Sequence, residues 1–339
     1  MRRSLQVWLG ILFISTAGIE ALAQLVPNLG GQRVGISAFQ SLKIGVGARG
    51  VGMGESFVAV ANDASALFWN PAGLAQFERD QVFFSRTEYV VGISHDFLGA
   101  TYHLSPADVL GASVSSLHMD DMEITTETQP LGTGRFFTFG DVTLALTYAK
   151  RMTDQFSFGV SARYAEETLD VLKMKALMFD LGAFYWTGLG STRFAVVISN
   201  FGGDASPSGS ATMWDGTTTS TFQTFSVPTI FKLGFAFEAF DNEVQKLTAS
   251  IQLNHPNDNS EHVRLGFEYG FREALFLRGG LKRTIRQPLF GEDGTSDENY
   301  SLGAGFLAPV GSSKVGADYA FTEFYRLGSI HRFTLTVSY

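Results

Sequence analysis

The chain has 339 residues, no cysteine, 37 glycines, 31 phenylalanines, only 17% charged residues and a formal net charge of −8. The missing cysteine excludes disulfides, thiolate metal sites and cysteine nucleophiles, and the mild negative charge without a basic cluster argues against a nucleic-acid partner. Abundant Gly and Phe with few charges suit a closed sheet in a membrane, where Phe, Leu and Val meet lipid while Gly and Ser pack inside.

The first element in chain order is a secretory signal. Arg2 and Arg3 form its charged region, Val7 to Ile14 its apolar core, and Ala21-Leu22-Ala23 the small-x-small cleavage pattern. Residues 1–23 are thus expected to be removed, leaving Gln24 as the mature start. The apolar stretch from Leu5 to Ile19 falls short of the roughly 20 residues a membrane-spanning helix needs. No cysteine follows the cleavage site, so a lipid anchor is not expected there.

Residues 24–78 show no strand alternation. Gly45, Gly47, Gly50, Gly52 and Gly54 disfavour a stable helix and permit close backbone approach. A short helix is expected over Ala59 to Leu67, ended by Asn70-Pro71, because the residue before proline is pushed to an extended conformation. A compact, barely charged, small-residue segment ahead of a barrel reads as a plug folded into the lumen. Its glycines do not make a phosphate loop: no Gly-Lys-Ser/Thr follows and no βαβ pattern surrounds them.

Residues 79–339 alternate between apolar and polar positions with the period of two that marks strands. Val142, Leu144, Leu146 and Tyr148 alternate with Thr143, Ala145 and Thr147, and Phe231, Leu233, Phe235 and Phe237 with Lys232, Gly234, Ala236 and Glu238. The last strand, His331 to Tyr339, puts Phe333, Leu335, Val337 and Tyr339 on one face and ends on an aromatic residue, as the closing strand of an outer-membrane barrel often does. The expected strands are 81–90, 95–104, 109–119, 138–150, 155–167, 175–187, 192–201, 228–239, 245–254, 261–271, 274–284, 299–308, 313–323 and 330–339. The fold class is therefore all-β: a transmembrane antiparallel β-barrel of about 14 strands with an N-terminal plug, or hatch, inside its lumen. No later segment is apolar enough to cross as a helix, and a closed sheet is the remaining route, because lipid offers backbone groups no partner. A secreted sandwich or propeller fits less well, since the strands are long and no blade-like repeat is visible.

Short connections such as Ser105–Asp108, Met152–Asp154 and Arg272-Glu273 are interspersed with long polar ones, 120–137, 202–227 and 284–299. Outer-membrane barrels have short periplasmic turns and longer external loops, so both termini are expected in the periplasm of a bacterial cell.

No catalytic constellation is visible. The six histidines are scattered, no Gly-x-Ser-x-Gly elbow is present, and no enzyme activity, metal or cofactor is expected. Glu292, Asp293, Asp297 and Glu298 lack the ordered spacing of a calcium loop. Alternation sends Arg163, Asp180, Lys232, Glu238, Arg264, Glu268, Arg278, Lys282, Asp318 and Arg332 into the lumen among mostly Gly, Ser and Thr, with Phe184 an apolar exception. A tight turn at Arg272-Glu273 would set Glu268 beside Arg278. Buried charges are normally paired, so these are expected to satisfy one another and the plug, with Arg49 and Asp63 anchoring the plug to the wall.

Gly47-Ala48-Arg49-Gly50, Met53-Gly54, Phe57 to Ala66 and Trp69-Asn70-Pro71-Ala72-Gly73-Leu74 together resemble the N-terminal signature of the PorV/PorQ family, outer-membrane proteins related to FadL-type transporters of hydrophobic compounds. The resemblance marks Arg49, Met53, Asp63, Trp69, Asn70 and Pro71 as plug or gate residues. It implies a 14-stranded barrel with an N-terminal hatch and a role in type IX secretion, with outer-membrane lipid around it and the C-terminal domains of secreted cargo or other secretion components as partners. The alternative is FadL-like uptake of hydrophobic small molecules such as fatty acids or hydrocarbons. Met213, Trp214, Phe222 and Phe225 stand in an otherwise polar loop and are the expected partner surface.

Overall fold

A computed structural model describes residues 37–212, 216–284, 298–324 and 328–339. Its strands are β1 (Gln81–Glu88), β2 (Ser94–His103), β3 (Asp108–His118), β4 (Phe139–Arg151), β5 (Phe156–Leu169), β6 (Leu172–Trp186), β7 (Arg193–Gly202), β8 (Ile230–Asp241), β9 (Gln245–Pro256), β10 (His262–Phe271), β11 (Leu275–Thr284), β12 (Glu298–Val310), β13 (Ser313–Phe324) and β14 (Gly328–Ser338). Neighbours in sequence pair antiparallel, and β14 returns to β1, so 14 strands close into a barrel with no free edge. Closure runs from Gln81 opposite Ser338 to Glu88 opposite His331. The Tyr339 amide extends it by donating to the Asp80 carbonyl at 3.0 Å. None of the strand limits read from the alternation is off by more than about three residues, the accuracy expected where period-two patterning is strong.

The alternation becomes two unlike surfaces. On β4, Val142, Leu144 and Leu146 are exposed on the outside while Thr143, Ala145 and Thr147 are buried inside. Phe84, Leu98, Phe235, Phe267, Leu302 and Leu335 continue the exposed apolar belt. Such a surface is stable only against lipid. Among the described residues no helix is long and apolar enough to cross a membrane.

The connections β2–β3, β4–β5, β6–β7, β8–β9, β10–β11 and β12–β13 are short and share one end. Arg272 and Glu273 adopt left-handed backbone (φ 53° and 52°) to turn β10 tightly into β11, which fixes Glu268 opposite Arg278. The opposite end carries the long connections after β3 and β7, each with a small two-residue ribbon. It also carries the hairpin of the two longest strands, β5 and β6, of 14 and 15 residues.

Residues 37–77 occupy the inside of the ring. They form a 3-10 turn (Gln40–Lys43), a single helical turn α1 (Ala48–Gly52), another, α2 (Ala66–Trp69), and a second 3-10 stretch (Pro71–Gln76). Ser37 bridges Ser226 at the long-loop end, and the Ala75 carbonyl accepts from Arg151 at the short-turn end, so the segment threads the lumen lengthwise. The main apolar core of the molecule is therefore the lumen: Phe57, Leu67, Trp69 and Leu74 of the segment pack with Phe83, Phe97, Phe184 and Val197 of the wall. Each such side chain removed from water contributes about 1.5–3 kcal/mol.

Two expectations need correction. The helix expected over Ala59 to Leu67 is instead the four-residue α2 further along. The Asp63 side chain accepts the Ser65 amide at 2.9 Å, and the resulting turn restarts the chain just before Ala66. Phe184 is not the lone inward aromatic, because Phe83 and Phe97 also point inward, Phe97 meeting Phe68 of the segment and Phe83 meeting Phe97. Consecutive aromatics at Phe83-Phe84 hid that face from the alternation. The expected position of the N-terminus falls on residues 1–36, which lie outside the described residues.

Candidate functional site

The Asn70-Pro71 step holds the lumen segment together. Asn70 is extended (φ −160°, ψ 107°) and fully buried. Its Nδ2 donates to the Val58 carbonyl at 2.9 Å and its Oδ1 accepts the Ala72 amide at 3.0 Å, capping the second 3-10 stretch, which Pro71 begins. Trp69 Nε1 donates to the Val46 carbonyl at 2.9 Å, and its ring meets Phe68 and Phe57 edge-on. Met53 is fully buried. These residues fix the segment's own shape.

The wall accepts the segment through glycines and polar side chains. A Cβ at Gly159 of β5 would fall on the Pro71 backbone, and one at Gly280 of β11 on the Gly54 amide nitrogen, so backbone meets backbone at both places. Segment amides are satisfied by wall side chains: Ala48 by Thr334 at 2.9 Å, Gly54 by Ser301 at 3.0 Å, and Phe57 and Val58 by the single Gln252 Oε1 at 2.9 and 3.0 Å. An irregular backbone buried at membrane depth is tolerated because these partners replace water.

Charge is concentrated near the short-turn end. Arg49 Nε and Nη2 donate to the two Glu268 oxygens at 2.8 Å each, while Nη1 reaches Asp63 at 2.6 Å and Asn62 at 2.7 Å. Glu268 also accepts from Arg278 Nε at 2.7 Å, and Arg278 passes Nη1 to Asp318 at 2.5 Å. Burial works against the charged form of Arg49, but Glu268 and Asp63 outweigh it and hold its pKa well above the ordinary arginine value. Arg49 thus ties the segment to the wall by a bidentate, charge-assisted pair. Asp63, expected as a second anchor, bonds to Arg49 and to Ser65 and so braces the segment internally.

The other lumen charges are also engaged. Arg264 bonds to Glu55 of the segment. Burial raises the Glu55 carboxyl's pKa, but Arg264 foremost, with Lys282, Arg332 and Lys232, brings it below the usual glutamate value. Arg163 pairs with Asp180 at 2.5 Å and donates to the Leu67 carbonyl at 3.1 Å. Lys232 lies over the Phe68 and Trp69 rings, 5.8 and 5.9 Å from their centroids, and Arg332 donates to the Gly45 carbonyl at 3.3 Å.

Arg193 was not anticipated. It donates to the Ala59 carbonyl at 2.8 Å and to both Glu238 oxygens at 2.9 and 2.8 Å. Its strand, Arg193-Phe194-Ala195-Val196-Val197, is apolar on both faces, which masks the inward side. Gln252 was also missed, although Thr248, Ser250, Gln252 and Asn254 form a polar face that the sequence shows.

At the long-loop rim, Phe225 pairs its backbone with Ala205 at 2.8 Å in both directions. Phe222 and Phe225 line, with Leu169, Leu172, Met174 and Pro207, a largely apolar pocket of about 350 Å³. Met213 and Trp214, like the acids Glu292, Asp293 and Asp297, lie outside the described residues. At the other mouth a pocket of about 440 Å³ opens among Arg49, Asp63, Glu268, Arg278, Phe276 and Phe306. Among the described residues no three His, Asp or Glu side chains converge as a metal site.

A family model described as type IX secretion system protein PorV matches residues 29–256, well over half of the chain. The chain belongs to the PorV family. That membership makes it a bacterial outer-membrane barrel of a secretion-associated family. No curated protein matches. Among solved structures, the Ralstonia pickettii toluene transporter TbuX superposes with TM-score 0.57 at 13% identity, covering 93% of this chain and 99% of that one. The Pseudomonas putida toluene transporter TodX gives 0.56 at 13% identity over 87% and 98%, and a Pseudomonas aeruginosa FadL homologue 0.54 at 13% over 87% and 98%. At such identity the likeness shows that this PorV-family chain shares the FadL-like fold.

Proposed function

We propose that this PorV-family barrel acts in type IX secretion by receiving the C-terminal domains of exported proteins at its long-loop rim for surface attachment. Family membership carries this reading. The filled lumen supports it: Arg49 and Glu55 are bonded to wall residues and Asn70-Pro71 packs on Gly159 and Gly182 of the wall, so the segment acts as a plug and the working surface is the rim. In this reading the short turns and Tyr339 are periplasmic, residues 24–78 form the plug, and the loop carrying Met213, Trp214, Phe222 and Phe225 faces outward. A pull-down from outer membranes tests it. Secreted proteins sharing a C-terminal sorting domain should co-purify, and should be lost when Phe222 and Phe225 are replaced by serine.

The rim pocket favours a second reading, FadL-like uptake. A pocket of about 350 Å³ lined by Phe222, Phe225 and Met174 suits a small apolar ligand. Recovery of the barrel alone, with lipids or hydrocarbons bound, would support uptake and overturn the secretion role.

A further inference from the structure

Among the described buried carboxylates of the lumen, one has neither oxygen hydrogen-bonded. Asp141, on the inward face of β4, is 4% exposed, and both carboxylate oxygens lack a hydrogen bond. Its register partner on β5 is Glu167, another buried acid, so their Cβ atoms lie about 4.5–5.5 Å apart. Glu167 Oε2 accepts the Phe39 amide of the lumen segment at 2.8 Å, which leaves Oε1 for a ligand. Thr143, the next inward residue of β4, has a buried hydroxyl that is also unpartnered. The Ser41 hydroxyl, on the first 3-10 turn of the segment, and the Leu117 backbone amide are donors directed at Asp141. Among the described residues no cationic side chain acts on either acid. Lys43, on the same 3-10 turn as Ser41, is engaged with Asp258 at 2.9 Å.

Glu55, Asp180, Glu238 and Glu268 each have an arginine, so this pair breaks the rule of the rest of the lumen. Two adjacent buried carboxylates call for a counter-charge, and none comes from the described residues. We propose that Asp141 and Glu167, with the hydroxyls of Thr143 and Ser41, bind a divalent cation of the calcium class at the long-loop end of the lumen. The donors are all oxygen, as a hard cation prefers, and calcium tolerates irregular coordination of 6–8 ligands. Water supplies the remaining ligands, as calcium sites commonly allow. The ion ties the Gln40–Lys43 turn to the wall, where Phe39 already bonds to Glu167. With two carboxylates the site is weak, with a dissociation constant on the order of 10⁻⁴–10⁻³ M.

The test uses the full mature protein in detergent, stripped with chelator and titrated with CaCl₂. Wild type should bind one equivalent saturably, and tryptic cleavage after Lys43 should slow at least about threefold. The substitution D141N should abolish both effects while preserving the heat-modifiable mobility of the folded barrel. E166Q, whose carboxylate faces outward and pairs with Lys173, should keep them. The site is refuted if wild type binds no calcium saturably, or if D141N binds as well as wild type. Protection obtained in chelator by acidification alone, with no calcium effect, would assign the pair to a shared proton and equally overturn the cation site.

Discussion

The two ends of the lumen segment are fastened by opposite arrangements of charge. Near the short turns, Arg49, Glu268, Arg278 and Asp318 alternate in sign, and every carboxylate meets a guanidinium. Near the long loops, Asp141 and Glu167 face each other across β4 and β5 with hydroxyls and backbone amides for company and no cationic partner among the described residues. The first arrangement is complete within the protein and acts as a permanent lock. The second, with the proposed cation, is completed only from solution, so it makes the long-loop end of the segment conditional on what the medium supplies. The difference also places any release of the segment at the long-loop end, beside the rim pocket, and not at the Arg49 lock.

The most severe break of this contrast is E268A. It strips a shared carboxylate from two buried guanidinium groups and should cost about 3 kcal/mol, the low end for breaking a buried pair, since Asp63 and Asp318 remain. Limited proteolysis of the segment near Arg49 should rise accordingly, whereas D141N should expose only the turn near Lys43. Next is G159V: its side chain would overlap the Pro71 backbone, and overpacking of this kind costs about 1–3 kcal/mol, read as a lowered thermal midpoint for segment release. W69F, which removes the bond to the Val46 carbonyl, should cost about 1 kcal/mol in the same assay. The smallest effect belongs to R86A. Arg86 pairs with Asp96 on the exposed outer side, its side chain is 42% exposed, and less than about 1 kcal/mol should be lost.

Acid sharpens the contrast in another way. The folded-state pKa of Glu55 lies below its ordinary value of 4.5, so its pair with Arg264 adds stability that is present above that value and lost as pH falls through the folded pKa. Segment release should therefore accelerate in acid in the wild type, and E55Q should remove that component. A pH profile unchanged by E55Q would show that Glu55 does not hold the segment.

The strands were legible because lipid and lumen impose opposite chemistry on alternate residues. Val142, Leu144 and Leu146 against Thr143, Ala145 and Thr147 declare both their strand and its facing. The opposition of Glu268 and Arg278 was legible too, since it follows from one tight turn. The lumen segment was not, because its shape is set by tertiary partners. The Asp63 turn, the Asn70 bonds to Val58 and Ala72, and the docking of Gly54 on Gly280 have no local period to announce them. Arg193 was hidden by a strand apolar on both faces. Asp141 and Glu167 each sit in ordinary alternation, and only the strand register brings them together.

Single-channel recording in planar bilayers tests most directly the claim that residues 37–77 close the lumen and are locked there by Arg49. The wild-type protein should stay silent, and R49A, which removes the bidentate bond to Glu268, should show intermittent openings. Steady open-pore conductance in the wild type, or silence in R49A, would contradict the account.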